Sequence, residues 1–202
     1  MIKLYIANAS EFEVDEGLNL LSDSRREKVL RYVSEKNRIR GTVAGLLMRY
    51  ILGDKEIKST PTGKPYVEGE EKFNLSHSGD RVVLVLSRGE VGVDIEKIAE
   101  RDIKSAIRCC TMEEMIWLSN DFTNERFYSI WVGKESVMKA TGQGFYTDPK
   151  TICAYPEVES AESMNKSWYL TWVDIEGYAC CVASEVKDEI EIIEFKKEDL
   201  LK

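Results

Sequence analysis

Two stretches of this chain put carboxylates where a packed fold resists them: Val91-Gly92-Val93-Asp94-Ile95-Glu96 and Trp131-Val132-Gly133-Lys134-Glu135-Ser136-Val137-Met138-Lys139. In the first, a strand would bury Val91, Val93 and Ile95 on one face and send Asp94 and Glu96 to the other. Two carboxylates side by side repel. Beside a core strand that repulsion calls for a cation, and oxygen-only ligands suit a hard one such as magnesium. The plain alternative is an edge strand with its acids in water. In the second stretch Glu135 precedes Lys139 by one helical turn, the spacing of an ordinary ion pair contributing about 0.2–0.5 kcal/mol. Phe127, Ile130, Trp131, Val137 and Met138 make this helix apolar, so the charged pair borders the core or a cleft, and Glu135 offers a third carboxylate.

Three further groups carry charge or hydrogen-bonding capacity. The only histidine, His77, lies in Asn74-Leu75-Ser76-His77-Ser78-Gly79-Asp80, after a strand and before a turn. Ser76 and His77 face opposite ways on a strand, so they do not make a nucleophile and base; His77 suits a phosphate contact or a structural turn. Gly63-Lys64-Pro65 is a rigid turn displaying one ammonium, without the full glycine pattern of a P-loop. Residues 22–40 concentrate seven bases (Arg25, Arg26, Lys28, Arg31, Lys36, Arg38, Arg40) against three acids. Such a cluster is either a solvated helix face or an anion site, polyphosphate being the natural ligand.

These elements sit in an acidic chain of 202 residues with a net charge of −8. The charge is uneven: residues 1–89 hold 15 lysines and arginines against 13 acids, leaving 13 against 23 in residues 90–202. The whole would repel a nucleic-acid backbone, so none is expected as a partner. No stretch approaches the length of a membrane span, and Lys3 followed by Glu11, Glu13, Asp15 and Glu16 is unlike a leader; the expected location is the cytoplasm, with no membrane partner. Five cysteines in an odd arrangement (109, 110, 153, 180 and 181), with one histidine, argue against zinc and for buried thiols.

Periodicity predicts strands at Ile2–Ile6, Tyr66–Val67, Phe73–Leu75, Val82–Leu86, Val91–Ile95, Ile152–Tyr155, Trp168–Ile175, Tyr178–Ala183 and Ile190–Phe195. Helices are predicted from Ser22 to Leu52 with a break near Asn37–Gly41, around Asp102–Ser119, and over Asn124–Thr141 with a stop at Gly142. Both halves read as helix plus mainly antiparallel sheet. The expected class is α+β, with residues 1–89 and 90–202 packed as two pseudo-symmetric lobes and no need for self-assembly to build a site between them, hence a monomer.

Taken together and in order, the stretch Ser22–Lys28, Gly63-Lys64-Pro65-Tyr66, Phe73–Ser78, Val91–Glu96, Phe127–Trp131 and Lys134-Glu135-Ser136 with Lys139 resemble the two-lobed, Sfp-like 4′-phosphopantetheinyl transferases. The resemblance covers most of the chain. It implies transfer of the phosphopantetheine arm of coenzyme A to a serine of an apo acyl or peptidyl carrier protein, releasing adenosine 3′,5′-bisphosphate. It further implies that Asp94, Glu96 and Glu135 hold magnesium against the diphosphate, with Glu135, directly or through a metal-bound water, the candidate base and Lys139 and His77 stabilising the leaving group. Arg25, Lys28, Arg40, Lys64, Pro65, Ser76, His77 and Lys139 would bind coenzyme A, the first three at the nucleotide 3′-phosphate and Lys64 and Pro65 beside the adenine. The nucleotide would thus lie against residues 1–89 and the metal and catalytic groups in 90–202. Two other classes share the residues: a coenzyme A or carrier binder without catalysis, and another magnesium-dependent nucleotide phosphotransferase.

Overall fold

In the computed structural model, which describes residues 1–53, 55–69, 71–100 and 107–202, two four-stranded sheets pack face to face and each carries a long helix on its outer side. The first sheet has the order β10 (Ile190–Phe195), β1 (Ile2–Asn8), β5 (Arg81–Ser87), β4 (Lys72–Ser78). The second has the order β6 (Val91–Lys97), β9 (Tyr178–Ser184), β8 (Lys166–Trp172), β7 (Ser160–Ser163), every pair antiparallel. A small hairpin of β2 (Lys58–Ser59) and β3 (Pro65–Tyr66) stands apart.

The strand patterns explain the layering. β5 is apolar on both faces, Val82 and Leu84 toward a helix and Val83 and Val85 toward the second sheet, as expected of a strand covered on both sides. Ile2, Leu4 and Ile6 of β1 join Val91, Val93, Ile95, Cys180 and Val182 in the core between the sheets. Outside the first sheet lie α1 (Asp23–Leu30) and α2 (Glu35–Leu52), with Val43, Leu46 and Leu47 buried against Tyr5, Phe73 and Val82. Outside the second lie α3 (Met112–Asn120) and α4 (Asn124–Thr141), with Ile130 and Val137 buried among Trp168, Cys181 and Ala183. The class is α+β, and the two 18-residue helices α2 and α4 are counterparts, one on each sheet.

Several expectations are corrected. Ile190–Phe195 belongs to the first sheet, because β10 pairs parallel with β1 from Ile2↔Ile190 to Ala7↔Phe195; the chain's end thus completes the N-terminal lobe, not the C-terminal one, and α5 (Lys197–Leu200) follows it there. The helical break lies at residues 31–34 and not at Asn37–Gly41. Gly41 stands inside α2, where a Cβ would lie 2.8 Å from the Tyr32 ring, so the glycine seats that ring and does not stop the helix. Ile152–Tyr155 is not a strand. Its carbonyls and those just before it accept Lys134 Nζ, at Ile152 and at 2.8 Å from Pro149, while the Ala154 N–H donates to Glu114 at 2.7 Å. The edge strand is β7, which enters β8 through Met164 and Asn165 at φ 55° and 59°, a left-handed pair of the type that closes tight hairpins. Asp102–Lys104 and the rest of 101–106 lie outside the described residues; after them α3 begins at the capping box of Thr111 and Glu114.

Among the described residues no helix is long and apolar enough to cross a membrane. Cys110, Cys180 and Cys181 are buried, whereas Cys109 and Cys153 are only half-buried. Burial pushes the Cys181 thiol up to about 12, which keeps it inert at neutral pH.

Candidate active site

The two lobes meet at an unusual seam. β6 is an end strand of its sheet, so the N–H groups of Val93, Ile95 and Lys97 point away from β9 and need acceptors. They find them on alternate residues of β4: Val93 N–H donates to Asn74 Oδ1 at 3.0 Å, Ile95 N–H to Ser76 Oγ at 3.4 Å, and Lys97 N–H to Ser78 Oγ at 3.1 Å. The serine hydroxyls in turn donate to the acids just before those residues on β6, Ser76 to Asp94 Oδ1 at 2.8 Å and Ser78 to Glu96 Oε2 at 2.7 Å. The strand expected over Phe73–Leu75 extends through Ser78, which sets Asn74, Ser76 and Ser78 on one face, and that face stands in for a missing strand.

On its other side β6 touches α4 backbone to backbone. A Cβ at Gly92 would stand 2.1 Å from the Ser136 carbonyl oxygen and 2.4 Å from the Ala140 nitrogen, so this position accepts no side chain while helix and strand keep their places. That approach brings Glu135 and Lys139 alongside Asp94. Gly92→Ala is therefore expected to push α4 off the sheet and cost about 1–3 kcal/mol, the ordinary range for overpacking. Thermal unfolding checks it; a melting temperature equal to the parent's would contradict the contact.

The sequence left Glu135 and Lys139 open as a surface pair. The structure commits Lys139 elsewhere, with Nζ at 2.5 Å from Asp94 Oδ1 and 2.9 Å from Ser76 Oγ. A cleft of about 400 Å³ opens at this point, lined by Leu75, Ser76, His77, Asp94, Glu96, Trp131, Glu135 and Lys139. Trp131, read from sequence as part of an apolar helix, forms part of its wall. Burial, reinforced by the charges of Asp94 and Glu96 and opposed by Lys139, raises the Glu135 carboxyl above the usual carboxylate range. Asp94 is 3 % exposed, and its Oδ2 has no hydrogen-bond partner. A buried unpartnered carboxylate oxygen costs free energy, about 1–3 kcal/mol or more for a charged group, unless a ligand fills the gap.

Among the described residues no three His, Cys, Asp or Glu side chains are arranged to enclose a metal ion. The three acids share one cleft but not a closed shell, because Lys139 is bonded to Asp94 and the Ser78 hydroxyl holds Glu96. The donor set still fits a hard divalent ion, all oxygen, with Asp94 Oδ2 free to bind and Glu135 under repulsion that a cation would relieve.

Of the basic groups expected at the nucleotide 3′-phosphate, Arg25, Lys28 and Arg40, none lines this cleft. Arg25 of α1 donates to the Gly41 carbonyl at 3.2 Å, and Arg40 of α2 reaches the Gly79 carbonyl at 3.4 Å and Asn37 Oδ1. The Nε donors of Arg25 and Arg40 are each buried without a partner. Desolvation in the cleft, reinforced by the charges of Arg40, Lys139 and Arg25, holds the His77 imidazole below its ordinary value, so it is neutral at pH 7. Lys28 lies exposed on α1. Lys64 and Pro65 fall in a second, neighbouring cleft of about 610 Å³, whose wall includes Tyr66, Phe73, Ala140 and Lys166. There Lys64 Nζ is held by Glu90 Oε2 at 2.6 Å and the Ala140 carbonyl at 2.7 Å. Of the residues singled out from sequence, six line the first cleft (Ser76, His77, Asp94, Glu96, Glu135, Lys139) and two line the second.

The sequence model of the 4′-phosphopantetheinyl transferase superfamily matches residues 90–183, which contain all three acids and Lys139. The chain is 36 % identical over 137 residues to the 4′-phosphopantetheinyl transferase gsp of Aneurinibacillus migulanus, covering 62 % of this chain and 58 % of that protein. It is 26 % identical over 148 residues to the 4′-phosphopantetheinyl transferase Sfp of Bacillus subtilis, covering 67 % and 66 %. A phosphopantetheinyl transferase of a Thraustochytrium species is 28 % identical over 210 residues, covering 83 % and 70 %. The matched stretch thus spans 58–66 % of the length of the two bacterial relatives. Through residues 90–183 the chain is similar to the 4′-phosphopantetheinyl transferase superfamily.

Proposed function

We propose that this chain transfers the phosphopantetheine arm of coenzyme A to a serine hydroxyl of an apo carrier protein and releases adenosine 3′,5′-bisphosphate. One observation carries the reading: Asp94 Oδ2 and the Nε donors of Arg25 and Arg40 are buried without partners, and His77, which lines the cleft with Asp94, lies in the field of both arginines. A ligand satisfying both must present anionic groups and a bound cation together, as a metal-loaded diphosphate does.

In the reaction the serine oxygen forms a bond to the pantetheine-side phosphorus, and the bond from that phosphorus to the bridging oxygen breaks. The electron pair leaves on the nucleotide phosphate. Asp94, Glu96 and Glu135 would hold magnesium, which supplies neutralisation of the diphosphate charge when bound. Glu135 would also take the serine proton. Lys139 would exchange its bond to Asp94 for a diphosphate oxygen and stabilise the departing charge. Neutral His77 would hydrogen-bond a phosphate oxygen, and Ser76, whose proton goes to Asp94, would border the coenzyme A site beside it. Arg25, Lys28 and Arg40 would receive the 3′-phosphate, and Lys64 and Pro65, with the Tyr66 and Phe73 rings close by, would border the adenine. A monomer located in the cytoplasm, with neither membrane nor nucleic acid as partner, is part of this reading.

Incubation with coenzyme A, magnesium and an apo carrier, followed by intact-mass measurement, tests it directly. One phosphopantetheine increment on the carrier is expected. Coenzyme A binding with no increment on any of several carriers would mean a binding module, and transfer to nucleotides alone would mean a different phosphotransferase. Arg25→Ala is expected to raise the KM for coenzyme A by about 10-fold or more with little change in kcat, the loss of a charge-assisted contact. Kinetics at varied coenzyme A check this; an unchanged KM would remove Arg25 from the nucleotide site.

A further inference from the structure

The seam between the lobes does more than join them. Each serine on the inner face of β4 has its hydroxyl occupied as acceptor by an N–H of β6, Ile95 for Ser76 and Lys97 for Ser78. Its single proton is thereby left for one acceptor, and in each case that acceptor is the carboxylate just preceding the donor residue, Asp94 Oδ1 or Glu96 Oε2. Asn74 occupies the same register against the Val93 N–H but has no carboxylate partner there, since position 92 is glycine. The ladder therefore has one rung that only joins the lobes and two that also aim an acid.

We propose that Ser78 is a positioning residue that fixes the rotamer of Glu96 for metal binding, as Ser76 does for Asp94. Glu96 is only half-buried, and its long side chain has rotamer freedom to lose when it coordinates. The hydroxyl of Ser78 takes one carboxylate oxygen, Oε2, and leaves Oε1 for the cation. Hydrogen bonds of this kind behind a metal ligand change affinity by about 10–100-fold when removed. The inference rests on the magnesium reading above, and Ser78 has no part in the bonds made or broken.

Manganese binding to the purified full chain, read by isothermal titration or by the loss of the free-ion electron resonance signal, gives a test that does not depend on turnover. Ser78→Ala should weaken manganese affinity by about 10-fold, within the range for such partners, and Ser78→Thr, which keeps the hydroxyl, should restore it. Asn74→Ala should lower the melting temperature but leave affinity at 20 °C or so within about twofold of the parent, since it removes a rung without a carboxylate. Parental affinity in Ser78→Ala would overturn the proposal, as would an equal loss in Asn74→Ala, which would mean that the seam acts only by holding the lobes together. Failure of the underlying reading looks different: the parent itself would bind no manganese, or Asp94→Ala would bind it as well as the parent does.

Discussion

Glu135→Gln is expected to lower arm transfer by about 10³-fold, within the usual range for removal of an acid–base group, while leaving the metal-free protein as stable as the parent or more so. Two effects of opposite sign come from one carboxylate. In the fold, burial and the charges of Asp94 and Glu96 raise the Glu135 carboxyl above its unfolded value. A group raised in this way contributes stability that is present below the unfolded value and lost as pH rises through the folded one. At pH 7 the ionised side chain is therefore a burden that glutamine, neutral and of the same shape, does not carry. Any difference in melting temperature should shrink on acidification toward the ordinary glutamate range, about 4.3. Added magnesium should raise the melting temperature of the parent and have a smaller effect on the variant. A variant that melts well below the parent at pH 7 without metal would mean that Glu135 has a structural partner not seen in the cleft. Near-normal turnover at saturating magnesium would remove Glu135 from the chemistry.

Lys134→Ala is expected to cost about 3–5 kcal/mol, the loss associated with removing one member of a buried ion pair. Lys134 precedes Glu135 on α4, yet both it and its partner Glu114 are 0 % exposed, with Nζ 2.7 Å from the carboxylate. The lysine also donates to the Pro149 and Ile152 carbonyls. Glu114 accepts from the Thr111 and Ala154 N–H groups at 2.7 Å each. Two segments, 111–114 and 149–154, are thereby tied to the turn of helix that carries Glu135. Removing the cation alone leaves a buried carboxylate and two carbonyls unanswered. The pair Lys134→Met with Glu114→Gln should recover more than half of the loss, because no buried charge remains and glutamine keeps an oxygen for one of the two N–H groups. Urea unfolding of the two variants measures both numbers; a single variant within 1 kcal/mol or so of the parent would show that water reaches the pair.

Much of this arrangement could be read from residue types. Alternation in Val91–Glu96 identified a strand with two acids on one face, and the apolar companions of Glu135 set that residue at a boundary with the core. Lys134 carried a readable signal that went unused, a charge on the face shared by Ile130 and Val137. Other features had no local sign. The pairing of β10 with β1 joins residues almost two hundred positions apart, and periodicity in Ile190–Phe195 is the same whichever sheet receives it. Ile152–Tyr155 has a strand's composition, but its backbone groups were taken by a buried lysine and glutamate from two helices.

By itself the sequence determined which side chains could do chemistry here: three carboxylates, one lysine, one histidine and a cluster of arginines, on a strand, a helix and a basic segment. Their types and order are covalent facts, and with alternation they set the face each one presents. The tertiary structure alone decided what each of them touches. Gly92 lets α4 lie on β6 because no Cβ stands between the backbones, and that contact gives Lys139 to Asp94 and not to Glu135. Asn74, Ser76 and Ser78 answer the open edge of β6, since buried N–H groups must find acceptors, and in doing so they aim Asp94 and Glu96 into the cleft. Such partnerships depend on distances through space between segments that spacing along the chain does not encode.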